Sequence, residues 1–162
     1  MAENWFLKID GIDGESTDAT HKNEIDVVSW SWGVTQTGAG AGAGGGGGAG
    51  KAAFQDFQFV ARLSKASPKL FLSAATGTHH AWAALTGVKT AAKGQTAEFL
   101  KYKLSDVMVS SVQHAGGEGA ELTDQFSLNY SKFEISYSAS SASGKLGPAV
   151  EAGFELKQNK KA

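Results

Sequence analysis

The segment EIDVVSWSWGV, Glu24 to Val34, joins β-branched residues to two tryptophans and is bounded by Asp-, Ser- and Gly-rich stretches, the signature of a strand. Side chains alternate across a strand, so Val28, Trp30 and Trp32 fall on one face and Ile25, Val27, Ser29 and Ser31 on the other. One reading puts the tryptophans in a core and the serines in ordinary solvent. The sharper reading makes the small hydroxyl residues a wall facing an enclosed space, and the pattern alone does not choose between them.

Outward from that segment the same period recurs. WFLKI (Trp5 to Ile9) reads as a strand, and FQDFQFVARL places Phe57, Phe59, Ala61 and Leu63 at every second position, as a half-buried strand does. AWAALTGVKT, AEFLKYKLSDVMVSSVQ, DQFSLNYSKFEISYS and AVEAGFELKQ follow as further strands between Gly- and Ser-rich turns. SPKLFLSAATG is the one helix: Ser67 as N-cap, Pro68 at the first helical position, Leu70 and Ala74 four apart, and Gly77 past the end. In FSLNYSKFEISY the apolar set Phe126, Leu128, Tyr130 changes parity to Phe133, Ile135, Tyr137, which predicts a β-bulge near Ser131 or Lys132. The expected fold class is mainly β, a barrel or sandwich of packed antiparallel sheets with one short α-helix.

The chain has 162 residues, 41% of them apolar, and four tryptophans, enough for a single domain over residues 1–162. Its formal net charge of −1 gives no electrostatic grip on nucleic acid or on an anionic membrane. Cysteine is absent, which removes disulfides and thiolate metal sites. MAENWFLKIDGIDGE carries acids early and lacks a basic region followed by an apolar run, so no cleaved signal peptide is expected. No apolar stretch approaches about twenty residues, so no helical membrane insertion is expected.

GAGAGAGGGGGAGK, Gly38 to Lys51, resembles a phosphate-binding loop in outline, with Gly45, Gly50 and Lys51 in register. That motif requires Ser or Thr after the lysine and then a helix whose first amides hold phosphate; Ala52 follows, and the next segment alternates like a strand. Nine of the thirteen residues from Gly38 to Gly50 are glycine and the rest alanine, so the stretch reads as a mobile loop between two strands. His79 and His80 are adjacent and point to opposite faces of a strand, and the four histidines (His21, His79, His80, His114) read as loop or surface residues. Asp10, Asp13, Glu15 and Asp18 lack the ligand spacing of an EF-hand and read as a solvated turn. No nucleophile elbow and no zinc-protease helix is present. The expectation is a non-enzyme with no catalytic residue, metal or cofactor.

Taken in order, FLKIDGIDGESTDATHKNEIDVVSWSWGV, SPKLFLSAATGTHH, VMVSSVQHAGG, LTDQFSLNYSKFEISY and GFELKQNKK resemble the haemolysin-coregulated protein (Hcp) family, the tube subunit of bacterial type VI secretion systems. The resemblance covers nearly the whole chain. It implies a β-barrel with a helix, a homo-hexameric ring closed head to tail, and rings stacked into a tube with a wide lumen. The tube would leave the bacterial cytoplasm by type VI secretion, with a spike protein at its tip, a contractile sheath around it and effector proteins in its lumen. By position, Ser31 and, next to it, Ser29 are implied to face lumen cargo, and Gly44, Gly45, Gly46, Gly47 and Gly48 to form a ring-stacking loop. No enzymatic domain is expected beyond KQNKKA. A monomeric β-barrel module holding a peptide or carbohydrate is the alternative from a different class.

Overall fold

The computed structural model describes residues 2–36, 52–91, 93–141 and 143–162. The Gly/Ala loop, Gly44 to Gly48 included, lies outside the described residues. Those described form eleven strands and one helix: β1 Ala2–Ile9, β2 Ile25–Ser31, β3 Val34–Gln36, β4 Ala52–Phe54, β5 Phe57–Arg62, α1 Ala66–Thr76, β6 His79–Thr90, β7 Thr96–Gly117, β8 Ala120–Asn129, β9 Lys132–Ser140, β10 Leu146–Glu155 and β11 Lys160–Lys161. Six strands close on themselves in the order β7-β6-β1-β2-β5-β8, with β8 pairing back onto β7. The expected β-barrel is therefore closed, which removes the free edges an open sheet would present. β9, β10 and β11 continue from β7 as a short extension, and β3 pairs with β4 in a separate two-stranded sheet.

The barrel closes because inward positions along these strands carry large apolar side chains. Phe57, Phe59, Phe126, Leu7, Ile9, Leu85 and Leu128 are all buried. Phe57 stacks on Trp32 at 5.2 Å between ring centroids and on Phe59 at 4.9 Å, and Phe59 stacks on Phe126 at 5.1 Å. Such aromatic pairs add to the free energy of area burial by about 0.5–1.5 kcal/mol each. Trp32 also orients its neighbours, since its indole N–H reaches the Gln55 carbonyl at 3.1 Å and the Tyr130 hydroxyl at 2.5 Å. Tyr130 in turn donates to the same carbonyl at 2.8 Å. Burial pushes the Tyr130 phenol up to about 12, so it remains a neutral donor at neutral pH.

Simple alternation fails on β2. Val27 faces Ala61 on β5 while Ser29 faces Val60, so one extra residue sits on β2 between them. That bulge turns Val28 outward, 56% exposed, away from the tryptophan face on which alternation places it. Ile25 and Val27 point inward before the bulge and Trp30 after it, and Ser29 and Ser31 are exposed. The helix also starts earlier than expected. It begins at Ala66, with Lys65 at the cap position, so Ser67 is a helical residue and not the N-cap. Ser67 is drawn inward because its hydroxyl accepts from the Ser64 N–H at 2.9 Å and donates to Asp124 Oδ2. At the other end Gly77 takes the left-handed conformation, φ 65°, as expected of a glycine that stops a helix.

The change of phase in FSLNYSKFEISY is real, but it is not a bulge at Ser131 or Lys132. β8 and β9 run one after the other along the same edge of β7, with Asn129 facing Met108 and Lys132 facing Ser105. Each strand spans the same number of residues between those two pairs, so nothing is inserted. β7 changes phase at the same level, from Leu104 inward to Val107 and Val109 inward. Asp106 is the pivot, in the left-handed region at φ 53°, a conformation that Asp tolerates better than most residues. Its carboxylate accepts from Ser131 Oγ at 2.7 Å, lies 2.9 Å from His79 Nδ1 and pairs with Lys157 Nζ at 3.1 Å. Both strands thus kink together, held by one side chain.

Hydrogen bonds from Ser131, His79 and Lys157 hold the Asp106 carboxyl well below its ordinary value of 3.8. A carboxyl lowered in the folded state stabilises fully above its ordinary value, and the contribution is withdrawn progressively as pH falls below it. Asp106→Asn keeps the backbone tolerance and removes the charge. It should cost about 1–2 kcal/mol at about pH 7, a modest figure because the site is partly exposed to solvent. The gap in melting temperature between the variant and wild type should shrink toward about pH 2; a gap independent of pH would refute the role given to the carboxylate.

Candidate functional site

The outward face of β2, β5 and β8 is built by register. Ser31 faces Gln58, which faces Ser127; Ser29 faces Val60, which faces Gln125. Phe57, Phe59 and Ala61 occupy the alternate positions of β5 and face the core, which fixes Gln58 and Val60 outward. At the β7–β8 seam a register shift between Val109 and Ser111 brings two hydroxyls against one, and Ser127 Oγ lies 2.7 Å from Ser110 Oγ and 2.5 Å from Ser111 Oγ. Ser127 is buried under these contacts, so the accessible part of the two cross-strand rows is Ser29, Ser31, Gln58 and Gln125 with Val60 half-buried between them, and it carries no charge. Arg62, paired with Glu121 at 2.7 Å, bounds this face on β5. Such a surface can offer many weak hydrogen bonds without a preferred sign of charge. It holds no arrangement of nucleophile and base.

The β1–β2 loop carries the acidic cluster. Asp10, Asp13 and Glu15 are exposed, and Asp18 Oδ1 accepts from the N–H groups of Thr20 and His21 at 3.0 Å each, a local turn that orders the loop. His21 differs from the expected surface residue: it is buried, stacked on Phe6 at 4.7 Å between centroids. Its Nδ1 lies 2.7 Å from Glu24 Oε2 and its Nε2 2.8 Å from Glu98 Oε1. The Nε2 contact is off the line of an aligned hydrogen bond, so it is a close polar contact and not a directional one. The two nitrogens point to opposite sides of the ring, and the histidine works as a clasp between the loop, β1 and β7. His79 and His80 diverge as adjacent strand residues should: His79 meets Asp106, whereas His80 reaches the Asp10 carbonyl at 2.8 Å and Ser73 Oγ at 3.1 Å.

Two further polar residues carry more structure than their sequence surroundings announce. Asp124 is 1% exposed; it accepts from Ser67 on α1 and lies 2.9 Å from His114 Nε2 on β7, again off the hydrogen-bond line. It ties the helix to the barrel. Asp106 was legible only indirectly, through the switch from Leu104 to Val107 in LKYKLSDVMV.

The extension supplies the other notable surface. Tyr137 on β9 and Val150 on β10 are direct cross-strand partners, and they share a face with Phe133 and Phe154, which pack on Phe54 at 5.6 and 5.3 Å. Near the barrel this face is covered. Farther along it is open, with Tyr137 44% and Val150 70% exposed. This adjacent pair of exposed apolar side chains is available for contact with another surface. Among the described residues no helix is long and apolar enough to cross a membrane.

Comparison with known proteins places this architecture. Residues 6–137 match the family described as "Type VI secretion system effector, Hcp". The chain is 46% identical to the protein hcp1 of Pseudomonas aeruginosa over 165 aligned positions, covering all of both chains. The crystal structure of Hcp1 from Salmonella typhimurium superposes with a TM-score of 0.80 at 37% identity, covering all of both chains. The structure of a type six secretion system protein superposes with a TM-score of 0.92 at 29% identity, over 99% of this chain and all of that one.

Proposed function

This chain belongs to the Hcp family of type VI secretion system proteins, and from that premise we propose that it is a structural tube subunit which closes into a six-membered ring. The observation that carries the proposal is the open apolar face of the β9–β10 extension. A flank of this kind, docking on a different surface of an identical copy, makes a heterologous contact, and such contacts generate rings when the rotation closes. Tyr137 and Val150 are the residues at the centre of that contact. The rings stack into a secreted tube, with Gly44 to Gly48 as the stacking element. A spike protein tips the tube, a contractile sheath surrounds it, and effector proteins travel in its lumen after loading in the bacterial cytoplasm.

In this reading the uncharged face of β2, β5 and β8 lines the lumen, with Ser31 and Ser29 toward cargo. The work is assembly and carriage, not catalysis. Electron microscopy of the purified protein tests the ring: annular particles are expected, and a field of compact single subunits would contradict it. Ser31→Gln adds bulk on an exposed position at the end of β2, so ring formation should persist while co-purification of lumen cargo falls about fivefold or more, in keeping with one to two lost weak contacts. Cargo retention equal to wild type would remove Ser31 from the cargo surface.

A further inference from the structure

The opposite face of the extension, defined by the alternate positions of the same strands, holds an open groove of about 570 Å³ across β7, β9, β10 and β11. Lys101 faces Ser136, which faces Glu151; Lys103 faces Glu134, which faces Gly153. Lys161 closes the far side. The ion pairs described in this region engage other lysines: Lys132 with Glu134 at 3.5 Å, Lys157 with Asp106 at 3.1 Å and Lys160 with Glu155 at 4.0 Å. Lys101, Lys103 and Lys161 form no ion pair with a described carboxylate. Of the two glutamates in the groove, Glu134 is already engaged by Lys132, so Glu151 stands alone against the ammonium groups of Lys101 and Lys103.

We propose that this groove binds an extended acidic segment of a partner protein, with carboxylates at alternate positions meeting Lys101 and Lys103. Two residues apart on one strand, these lysines repeat about every 7 Å, the repeat of alternate side chains on an extended peptide. The Ser136 hydroxyl, between Lys101 and Glu151 in the register, is a further donor or acceptor. Tyr137 and Val150 project from the other face of the sheet, so the groove stays open when another copy covers the apolar side. The lysine-lined groove and the ring contact are therefore independent, and the failure of one leaves the other standing.

The test uses the purified full-length protein and a fluorescently labelled peptide of alternating Glu and Ser, with a Gln and Ser peptide of the same length as control. Fluorescence anisotropy should show the acidic peptide binding at least about tenfold more tightly than the control at low salt, with the margin shrinking as salt is added. Lys101→Gln with Lys103→Gln should abolish the margin, and Lys101→Glu with Lys103→Glu should drive acidic binding below the control, both with unchanged circular dichroism. Equal binding of the two peptides, or a margin that survives both double variants, would overturn the proposal. So would a short single-stranded oligonucleotide that binds as tightly as the acidic peptide, since the groove would then be a general polyanion surface.

Discussion

Replacing Tyr137 and Val150 together by glutamate is expected to leave the protein as separate 16.8 kDa chains with an intact barrel. The two side chains are cross-strand partners on an exposed face, so the substitution leaves no buried cavity and no orphaned core polar group. Within the ring they would lie in the desolvated centre of each contact, where losing one anchor costs about 2 kcal/mol or more. Two such losses amount to about 4 kcal/mol per contact, a weakening on the order of a thousandfold. Two like charges brought into an apolar contact add to that cost. Sedimentation analysis beside circular dichroism checks the result. A variant that keeps native secondary structure and the wild-type assembly mass would show that the ring forms through another surface.

Phe57→Ala is expected to be the most damaging single substitution for the barrel itself. Phe57 is 0% exposed and lies against Trp30, Trp32, Phe59 and Tyr102, with centroids between 4.9 and 5.6 Å away. Removing the ring takes away its burial and leaves a void that stiff aromatic neighbours do not fill, a loss of about 3–5 kcal/mol. Chemical denaturation should show a midpoint shifted well below wild type with an unchanged slope. A loss below about 1 kcal/mol would mean that the aromatic column relaxes into the space, and that the barrel is softer than its packing indicates. The assembly should fail with the fold in this variant, whereas the Tyr137 and Val150 variant should lose the assembly alone.

The sequence carried the fold wherever alternation ran without interruption. Phe57, Phe59 and Ala61 face inward as their spacing predicts, and Gly77 ends the helix as a left-handed residue. Legibility failed where the chain breaks its own period for a tertiary reason. Val28 looks like a member of the tryptophan face until the register of β2 against β5 shows an added residue there. Ser67 looks like an ordinary N-cap, yet its hydroxyl is recruited by Asp124, sixty residues away in sequence to the nearest ten and invisible to any local rule. The phase change at Ser131 was visible, but its cause lies on the neighbouring strand, where Asp106 kinks β7 at the same level. His21 shows the same limit: a histidine in an acidic loop reads as solvated until Phe6 and two glutamates close around it.

The candidate cargo face was half legible. Ser29 and Ser31 stood out on their own strand, but Gln58 and Gln125 join them only through the pairing of β2, β5 and β8. The apolar extension was hidden for a related reason, since Tyr137 reads as one more member of the apolar set of its strand and nothing marks Val150 as its partner. Only the departure of β9 and β10 from the closed barrel leaves them uncovered.

The mass of the purified protein in solution, measured by sedimentation equilibrium over a range of concentrations, bears most directly on the ring. A species of about six times the 16.8 kDa chain, persisting on dilution, is the predicted result for a closed heterologous assembly. A species that stays at the mass of one chain at the highest concentration reached would contradict the ring, and with it the tube and its lumen.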